Sequence, residues 1–384
     1  MTNKLKVTTA LAGSLMVLGA VSANAQTYYK DGVSGNLAIS YQSVKSENKA
    51  NSFRQFGKES QINLAASGSL NNGWTYKAGT SLEMDGGDGL TSPLTANSAN
   101  TSGSGVISTN STQPTVAATQ AAQAENTFID FINGNTTISI SADHLSMSDT
   151  NMTNLVGFGY IGADGVNNMN SLYPKNISNY QAYGVGVIQK TAIGSFSANY
   201  TPHNNNSAAG NDIFNVTNKA AGGVANSAYE LTYLGNLGLN GLTVLGSYVS
   251  FPKAGITTGG LTLDGTASRV AAKYNFGQFT AAIDRSREEN MQANAATTAG
   301  VQKFNGDSYA VAYAINKELS VGATYAEAKS NTTNNPKKEN TVILAVGYNL
   351  GPVAVSTQYK NVQNLSGVGL NDGQSLGVYV NTAF

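Results

Sequence analysis

The sequence predicts an all-β fold: an antiparallel up-and-down barrel of about sixteen strands that crosses a membrane. Three observations predict it. An export signal opens the chain, the composition is poor in charge, and polar–apolar alternation with a period of two recurs to the last residue. Only 11% of the 384 residues are charged, against about a quarter in soluble domains, while there are 19 tyrosines and 42 glycines. A secreted β-solenoid or adhesin is the competing interpretation of this composition.

The first 25 residues have the organisation of a secretory signal peptide. Two lysines precede a mostly apolar core at residues 7–21, and an A-x-A cleavage site ends at Ala25. The core is too short for a spanning helix. We therefore expect residues 1–25 to be removed and Gln26 to start a single barrel domain over residues 26–384.

Composition also excludes several classes of function. The chain has no cysteine, which excludes a disulfide-stapled fold. Its formal net charge of zero offers no basic surplus, so we expect no nucleic-acid partner. We also expect no cofactor, because no motif in the sequence has the context that cofactor binding needs.

Alternating residues mark the strands in order along the chain. The first predicted strand, residues 36–42, places its aliphatic and tyrosine side chains on one face. Residues 61–70 and 74–85 alternate in the same way around a short Asn-Asn-Gly turn, which predicts a hairpin. The same unit recurs downstream, and the remaining predicted strands are 127–133, 136–143, 180–190, 194–201, 227–235, 241–250, 266–276, 278–286, 307–315, 318–328, 340–350, 353–362 and 374–384.

The connections between these strands alternate between short turns and long loops. Such alternation is typical of a membrane barrel with one tight rim and one elaborated rim. All seven prolines fall in the connections, where their missing N–H costs no ladder hydrogen bond. The long rim is therefore predicted to face outward and the short rim to face the periplasm.

The last strand, residues 374–384, ends on Phe384 and has apolar residues at most alternate positions. Aromatic rings are suited to the interface between lipid and water. We therefore expect Phe384 to lie at the short-turn rim, with its strand pairing the first strand of the barrel.

Charged residues inside the predicted strands lie on the polar face, and Arg285, beside a loop, is the exception. A Lys or Arg on the lipid face near mid-membrane would cost about 2–4 kcal/mol. Inward charges need water, and about sixteen strands enclose a lumen too wide for side chains to fill. The inward residues are Lys77, Glu83, Asp130, Glu230, Arg269, Lys273, Asp284 and Lys360.

On these features the chain resembles the general porins of Gram-negative outer membranes. The resemblance covers the signal peptide, about sixteen strands, short turns opposite long loops, and the closing aromatic strand. It implies a homotrimer in the outer membrane, a third loop that folds into the barrel, and recognition of Phe384 by the barrel-assembly machinery.

Two long connections are candidates for the loop that enters the pore. Residues 86–126 are a low-complexity run with few large apolar side chains, and we predict an external loop there. Residues 144–179 form the third loop on the long rim and include a cluster of apolar residues: Leu155, Val156, Phe158, Tyr160 and Ile161. Exposing such side chains costs about 1.5–3 kcal/mol each. We therefore predict that residues 144–179 pack on the inner wall and constrict the pore.

The predicted constriction sets acidic residues of the third loop against basic residues of the wall. Asp149 and Asp164 lie in the loop, and Asp143 lies at its entrance. They would face Arg269 near mid-strand, with Lys77, Lys273 and Lys360 at other heights. Opposed charges of this kind select among permeating ions. The alternative is that these residues, with Glu83, Asp130 and Glu230, simply line a solvated lumen.

Other motifs carry less weight. Residues 157–162 match G-x-G-x-x-G but lack the strand and helix that a nucleotide site needs. His144 and His203 are the only histidines, so neither a metal site nor a hydrolase is predicted. The charge runs at 285–289 and 337–339 are interpreted as a solvated rim, with contact to lipopolysaccharide and outer-membrane lipid as the alternative.

The predicted function is passive diffusion of small hydrophilic solutes and ions through a water-filled channel. One alternative is a substrate-selective channel, which would show an aromatic track in its lumen, whereas most tyrosines here lie on lipid-facing registers. A second alternative is a non-conducting adhesin or structural barrel. No enzymatic activity is expected.

Overall fold

Sixteen antiparallel strands form one closed barrel in the computed structural model of the chain. The structure describes residues 32–47, 52–83, 123–141, 152–156, 184–201, 227–252, 264–289, 303–331, 337–364 and 372–384. The strands are β1 (Gly32–Ser46), β2 (Phe53–Ser69), β3 (Thr75–Glu83), β4 (Gln123–Asn133), β5 (Thr136–Ser141), β6 (Gly184–Thr191), β7 (Gly194–Thr201), β8 (Ala228–Gly235), β9 (Leu242–Phe251), β10 (Gly265–Phe276), β11 (Phe279–Glu289), β12 (Lys303–Ala314), β13 (Leu319–Ser330), β14 (Glu339–Asn349), β15 (Val353–Gln363) and β16 (Gly373–Ala383). Each strand pairs with its neighbours in sequence, and β1 pairs with β16 to close the barrel.

The predicted antiparallel barrel of about sixteen strands is confirmed, and each predicted strand overlaps an observed one. Several strands extend further at the end that carries the long connections. β2 begins at Phe53 rather than residue 61, and β12 begins at Lys303 rather than residue 307. Polar residues and glycine interrupt the apolar alternation in these extensions, and Phe53 and Phe56 fall on opposite faces, so alternation does not mark them. β4 begins at Gln123, inside the predicted external loop.

Successive side chains point alternately toward lipid and toward the lumen. On β1, Leu37 and Ile39 are 40% and 49% exposed, whereas Ser40 and Gln42 between the outward residues are buried. The same parity holds on β10, where Val270 is exposed and Arg269 is buried. The sequence thus folds with its apolar stripe outward and its polar stripe inward, as a membrane barrel requires.

Aromatic side chains border the apolar band. Near the short turns, Phe276 and Phe279 stack with ring centroids 5.7 Å apart, and Phe279 meets Tyr313 at 4.7 Å. At the opposite edge, Tyr309 and Tyr325 stack at 6.5 Å. Rings at both edges are typical of the two lipid–water interfaces.

Short turns connect the strands at one end of the barrel, called here the turn end; the other is the outer end. The β10–β11 turn needs only two residues because Gly277 adopts a φ of 62°, which a side chain would disfavour. The described residues include no helix that is long and apolar enough to cross a membrane. Phe384 lies at the turn end, where its backbone pairs with Gly35 of β1.

Candidate functional site: the lumen and its third loop

Polar side chains cover the inner wall of the barrel. Several of their buried oxygen atoms have no hydrogen-bond partner among the described residues, including those of Gln42, Asn63, Ser139, Ser141, Ser197, Ser247, Ser375 and Asn381. Buried polar atoms in native proteins are paired with protein groups or with water. A polar wall of this kind suits an aqueous lumen, and sixteen strands enclose a lumen too wide for side chains to fill.

A buried ion pair lies on the wall between β10 and β11. Arg269 Nε donates to Asp284 Oδ2 at 2.8 Å, and Arg269 Nη2 also contacts that oxygen. Ser286 Oγ donates to the other carboxylate oxygen at 3.4 Å. Arg269 was predicted to face Asp143, Asp149 and Asp164, which lie outside the described part of the chain. Within the described part, its charge pairs with a neighbour on the wall.

The sequence contains a signal for this pairing. The two-residue turn after Phe276 places Arg269 opposite Ser286, so Asp284 is the diagonal neighbour of Arg269 on the same face. Diagonal neighbours in a sheet are within reach of long side chains.

The other predicted wall residues lie at inward positions of their strands. Lys77 is opposite Asp130 in the β3–β4 pairing. Glu230 is buried and accepts a hydrogen bond from Thr232 Oγ1 at 3.0 Å. Lys273 and Lys360 also have inward registers, on β10 and β15. Glu83 ends β3, and its side chain lies outside the described part of the chain.

Among the described residues, most inward carboxylates lie toward the outer end of the barrel and most inward lysines toward the turn end, with Asp130 and Lys360 as exceptions. Glu230, Asp284, Glu288 and Glu339 lie toward the outer ends of their strands, and all four are buried. Lys77, Lys190 and Lys273 lie toward the turn ends. Glu288 and Glu339 were not predicted as pore residues, because they belong to charge runs interpreted as rim. Residues an even number of positions apart on a strand point to the same face. Glu288 is evenly spaced from the inward Asp284 on β11, and Glu339 from the inward Thr341 on β14, so the sequence did indicate that both point inward.

The described part of the third loop, residues 152–156, packs against the inner wall. Met152 contacts Leu245 and Ala271. Leu155 and Val156 pack with alanines of β11, β12 and β14: Ala282, Ala310 and Ala345. Burying these side chains removes apolar surface from water, which is favourable by about 25 cal/mol per Å².

Hydrogen bonds attach the same segment to the wall. Ser308 Oγ donates to Thr153 Oγ1 at 2.9 Å, and Thr324 Oγ1 donates to the Thr153 carbonyl at 3.0 Å. Gln358 Nε2 donates to the Val156 carbonyl at 3.4 Å. The segment therefore contacts inward residues from β9 to β15.

Small inward residues make room for this segment. A Cβ at Gly322 would lie 2.7 Å from Val156 Cγ2, so the close approach of the loop requires glycine there. Alanine occupies the wall at 282, 310 and 345, where Leu155 and Val156 pack. Small apolar residues at inward positions were the sequence signal for this packing site, although buried inward alanines also occur elsewhere, as at Ala228 and Ala267.

Several predicted residues lie outside the described part of the chain: Ala25, Gln26, Asp143, Asp149, Asp164, the two histidines and residues 157–162. Within the described part, no group of three or more His, Asp or Glu side chains could hold a metal ion. The described residues form a barrel with a polar, charged inner wall, and residues 152–156 are bound to that wall.

Comparison with known proteins agrees with this geometry. The sequence profile described as Gram-negative porin matches residues 8–367. A search of curated proteins found no match.

Solved structures of porins share the fold. An anion-selective porin from Comamonas acidovorans superposes with a TM-score of 0.62 at 12% identity, covering 92% of this chain and 98% of that one. In-vitro folded OmpT, an outer membrane protein of Vibrio cholerae, gives a TM-score of 0.58 at 12% identity, covering 93% and 99%. Its trimer form gives 0.57 at 12% identity, covering 92% and 99%. The profile match over nearly the whole chain, together with the closed barrel, shows that this chain belongs to the Gram-negative porin family and forms an outer-membrane porin channel.

Proposed function

We propose that the channel passes small hydrophilic solutes and ions by passive diffusion, and that the loop at residues 144–179 forms its constriction. The observation that supports this proposal is the fastening of residues 152–156 to the inner wall from β9 to β15. A segment held inside a water-filled barrel narrows it without closing it, because the polar wall opposite remains solvated.

Selectivity in this proposal depends on the charges that line the narrowed path. Arg269 and Asp284 neutralise each other, so their pair contributes little net field. Other charges along the path are the carboxylates toward the outer end, Glu230, Glu288 and Glu339, and the lysines toward the turn end, Lys77, Lys190 and Lys273. Asp143, Asp149, Asp164 and Glu83 remain proposed constriction residues on their sequence positions alone.

We further propose that residues 1–25 are a cleaved signal peptide and that the mature barrel assembles as a homotrimer. The trimer form of the Vibrio cholerae protein supports the second proposal by similarity of fold. Phe384 is proposed to be read by the barrel-assembly machinery during insertion.

The experiment that tests the proposed function is reconstitution of the purified barrel into planar bilayers and liposomes. We expect stepwise ohmic conductance and sugar fluxes that rise linearly with concentration up to a size limit. Saturable flux of one solute would instead favour a substrate-selective channel. A folded barrel without conductance would favour the structural or adhesive role.

The constriction is tested by deleting residues 149–164 from the barrel. We expect larger single-channel conductance and passage of larger sugars than in the wild type, with folding checked by circular dichroism. Unchanged conductance and size limit in a folded deletion variant would contradict the loop assignment.

A further inference from the structure

The sequence contains four Asn-Gly dipeptides, at residues 72–73, 133–134, 240–241 and 305–306. Asparagine is thermolabile, and its side-chain amide is lost fastest before glycine, because glycine has no Cβ to hinder its own backbone nitrogen. That nitrogen attacks the asparagine side-chain carbonyl and closes a succinimide ring. The reaction needs a backbone N–H that is not held elsewhere, so the structure decides which of the four pairs reacts.

The pair at 72–73 is held by hydrogen bonds of the β2–β3 turn. Gly73 N donates to the Leu70 carbonyl at 3.1 Å. Asn72 Oδ1 accepts from Trp74 N at 3.2 Å, which turns the side-chain amide toward the tryptophan backbone. Ring closure at Asn72 must break both hydrogen bonds.

The pairs at 133–134 and 305–306 are restrained by strand pairing. Asn305 and Gly306 lie on the middle strand of β11–β13, and Asn305 Oδ1 accepts from Arg287 Nε at 2.9 Å. Asn133 is the last paired residue of β4, opposite Thr136 across a two-residue turn. Rotating the backbone of either asparagine toward ring closure therefore disrupts the sheet.

The pair at 240–241 lacks these restraints. It lies in the connection between β8 and β9, at the turn end, where Asn240 is exposed. Leu242 N donates to the Leu239 carbonyl at 3.3 Å, which closes a β-turn around Asn240 and Gly241. Within the described residues, neither Gly241 N nor the Asn240 side chain has a hydrogen-bond partner. The attacking nitrogen and its target are therefore both available.

The fold also requires glycine at position 241. Gly241 has a φ of 80°, as at the third residue of a type II turn. A Cβ there would lie 2.6 Å from the Asn275 carbonyl oxygen, and Asn275 N donates to the Gly241 carbonyl at 2.9 Å. A larger residue that would slow ring closure is therefore excluded, and Asn240 keeps its most reactive neighbour.

We propose that Asn240 is a site of spontaneous deamidation in the folded barrel. Gly241 N gives its proton to hydroxide and attacks Asn240 Cγ. The bond from Cγ to Nδ2 then breaks, and the leaving nitrogen takes a proton from water and departs as ammonia. Water opens the succinimide at either of its carbonyls, which leaves aspartate or isoaspartate at position 240. Water is the only co-reactant, and the reaction involves no oxidation or reduction.

The two products differ in their effect on the sheet. Aspartate adds a negative charge at an exposed position. Isoaspartate instead routes the main chain through Cβ, which inserts an extra backbone atom next to Gly241. Because the Gly241 carbonyl accepts from Asn275 N, we expect isoaspartate to weaken the turn end of the β9–β10 pairing.

The proposal is tested by incubating the folded barrel in detergent, at mildly alkaline pH and in heavy-oxygen water, before peptide mass spectrometry. Each Asn-Gly pair is scored for amide loss with uptake of heavy oxygen, and isoaspartate is scored by enzymatic methylation. The matched variant is Asn240→Gln, which keeps an amide but must form a larger ring that closes slowly. A sample unfolded in denaturant gives the intrinsic rates of the four pairs.

We expect Asn240 to lose its amide about tenfold faster than Asn72 in the folded barrel, since one net hydrogen bond that must break first corresponds to up to about that factor. Asn133 and Asn305 should also react more slowly than Asn240, and the four rates should approach one another in the unfolded chain. The variant should keep its amide at 240, with the other three rates unchanged. Similar rates at all four pairs in the folded barrel, or loss at Asn240 only after unfolding, would overturn the proposal.

Stability is measured on the same incubated samples. The wild-type barrel should acquire a fraction with a lower urea midpoint, and that fraction should be enriched in isoaspartate at 240. The Asn240→Gln barrel should keep its original midpoint through the same incubation. Equal loss of stability in both proteins would contradict the effect assigned to isoaspartate on the β9–β10 pairing.

Discussion

The ring of Phe384 lies against Gly35 across the seam where the barrel closes. Each residue's N–H donates to the other's carbonyl at 3.0 Å. A Cβ at Gly35 would overlap the Gln61 carbonyl oxygen and would lie 2.5 Å from Phe384 Cζ. Both the neighbouring backbone of β2 and the aromatic ring therefore require glycine at this position of β1.

Replacing Gly35 by valine should destabilise the barrel by about 1–3 kcal/mol, because the new side chain overlaps the Gln61 carbonyl oxygen and the Phe384 ring. The matched control is Gly246→Val, since a Cβ at Gly246 would meet nothing within 4 Å. The measurement is the urea midpoint of unfolding in detergent micelles. Equal midpoints for the two variants would contradict the steric role of Gly35.

Replacing Phe384 by serine should reduce the amount of folded barrel in the outer membrane much more than it changes conductance. The Phe384 ring lies on the outer, lipid-facing surface where β1 pairs with β16, away from the lumen. Phe279→Ser removes another exposed aromatic at the turn end and provides the control. Folded protein is measured by heat-modifiable gel mobility, and conductance is measured on the fraction that folds. If both variants lose folded protein equally, Phe384 has no special role in assembly.

The sequence predicts the number of strands, their faces and the position of Phe384 because these depend on local alternation. The sequence predicts β2 eight residues short because Phe53 and Phe56 fall on opposite faces and the residues around them are polar or glycine, so residues 53–60 do not alternate. The Arg269–Asp284 pair depends on cross-strand register, which the length of the β10–β11 turn sets and which alternation alone does not predict. The position of Leu155 depends on long-range contacts with β11–β14. The small inward residues of those strands are the local sequence feature that indicates where it packs.

Asp284→Asn should destabilise the barrel by about 1.5–3 kcal/mol, the range for hydrogen bonds to charged groups. The change leaves Arg269 without its carboxylate partner, so it should also shift ion selectivity toward anions. The double variant Arg269→Gln, Asp284→Asn restores neutrality and should recover most of both effects. Urea midpoints and reversal potentials in a salt gradient measure the two outcomes. A double variant as perturbed as the single one would show that the pair does not act as a unit.

Leu155→Ser combined with Val156→Ser should weaken the packing of the third loop on the inner wall and raise single-channel conductance. Both side chains are buried against wall alanines, and exposing such side chains costs about 1.5–3 kcal/mol each. The control is Val44→Ser, a buried inward residue on β1, outside the wall strands that residues 152–156 contact. Conductance and the sugar size limit are measured for both. Similar changes in the control would indicate general loosening of the barrel rather than release of the loop.

Glu288→Gln combined with Glu339→Gln should shift the channel's selectivity toward anions. Both carboxylates point inward near the outer end, where passing ions meet them first, and glutamine preserves their size while removing charge. An outward charge change should not have this effect, so Lys45→Gln serves as the control. The reversal potential across a tenfold salt gradient is measured for each variant, with the shift expected to shrink as total salt rises because of screening. A reversal potential unchanged from wild type would place these carboxylates off the ion path.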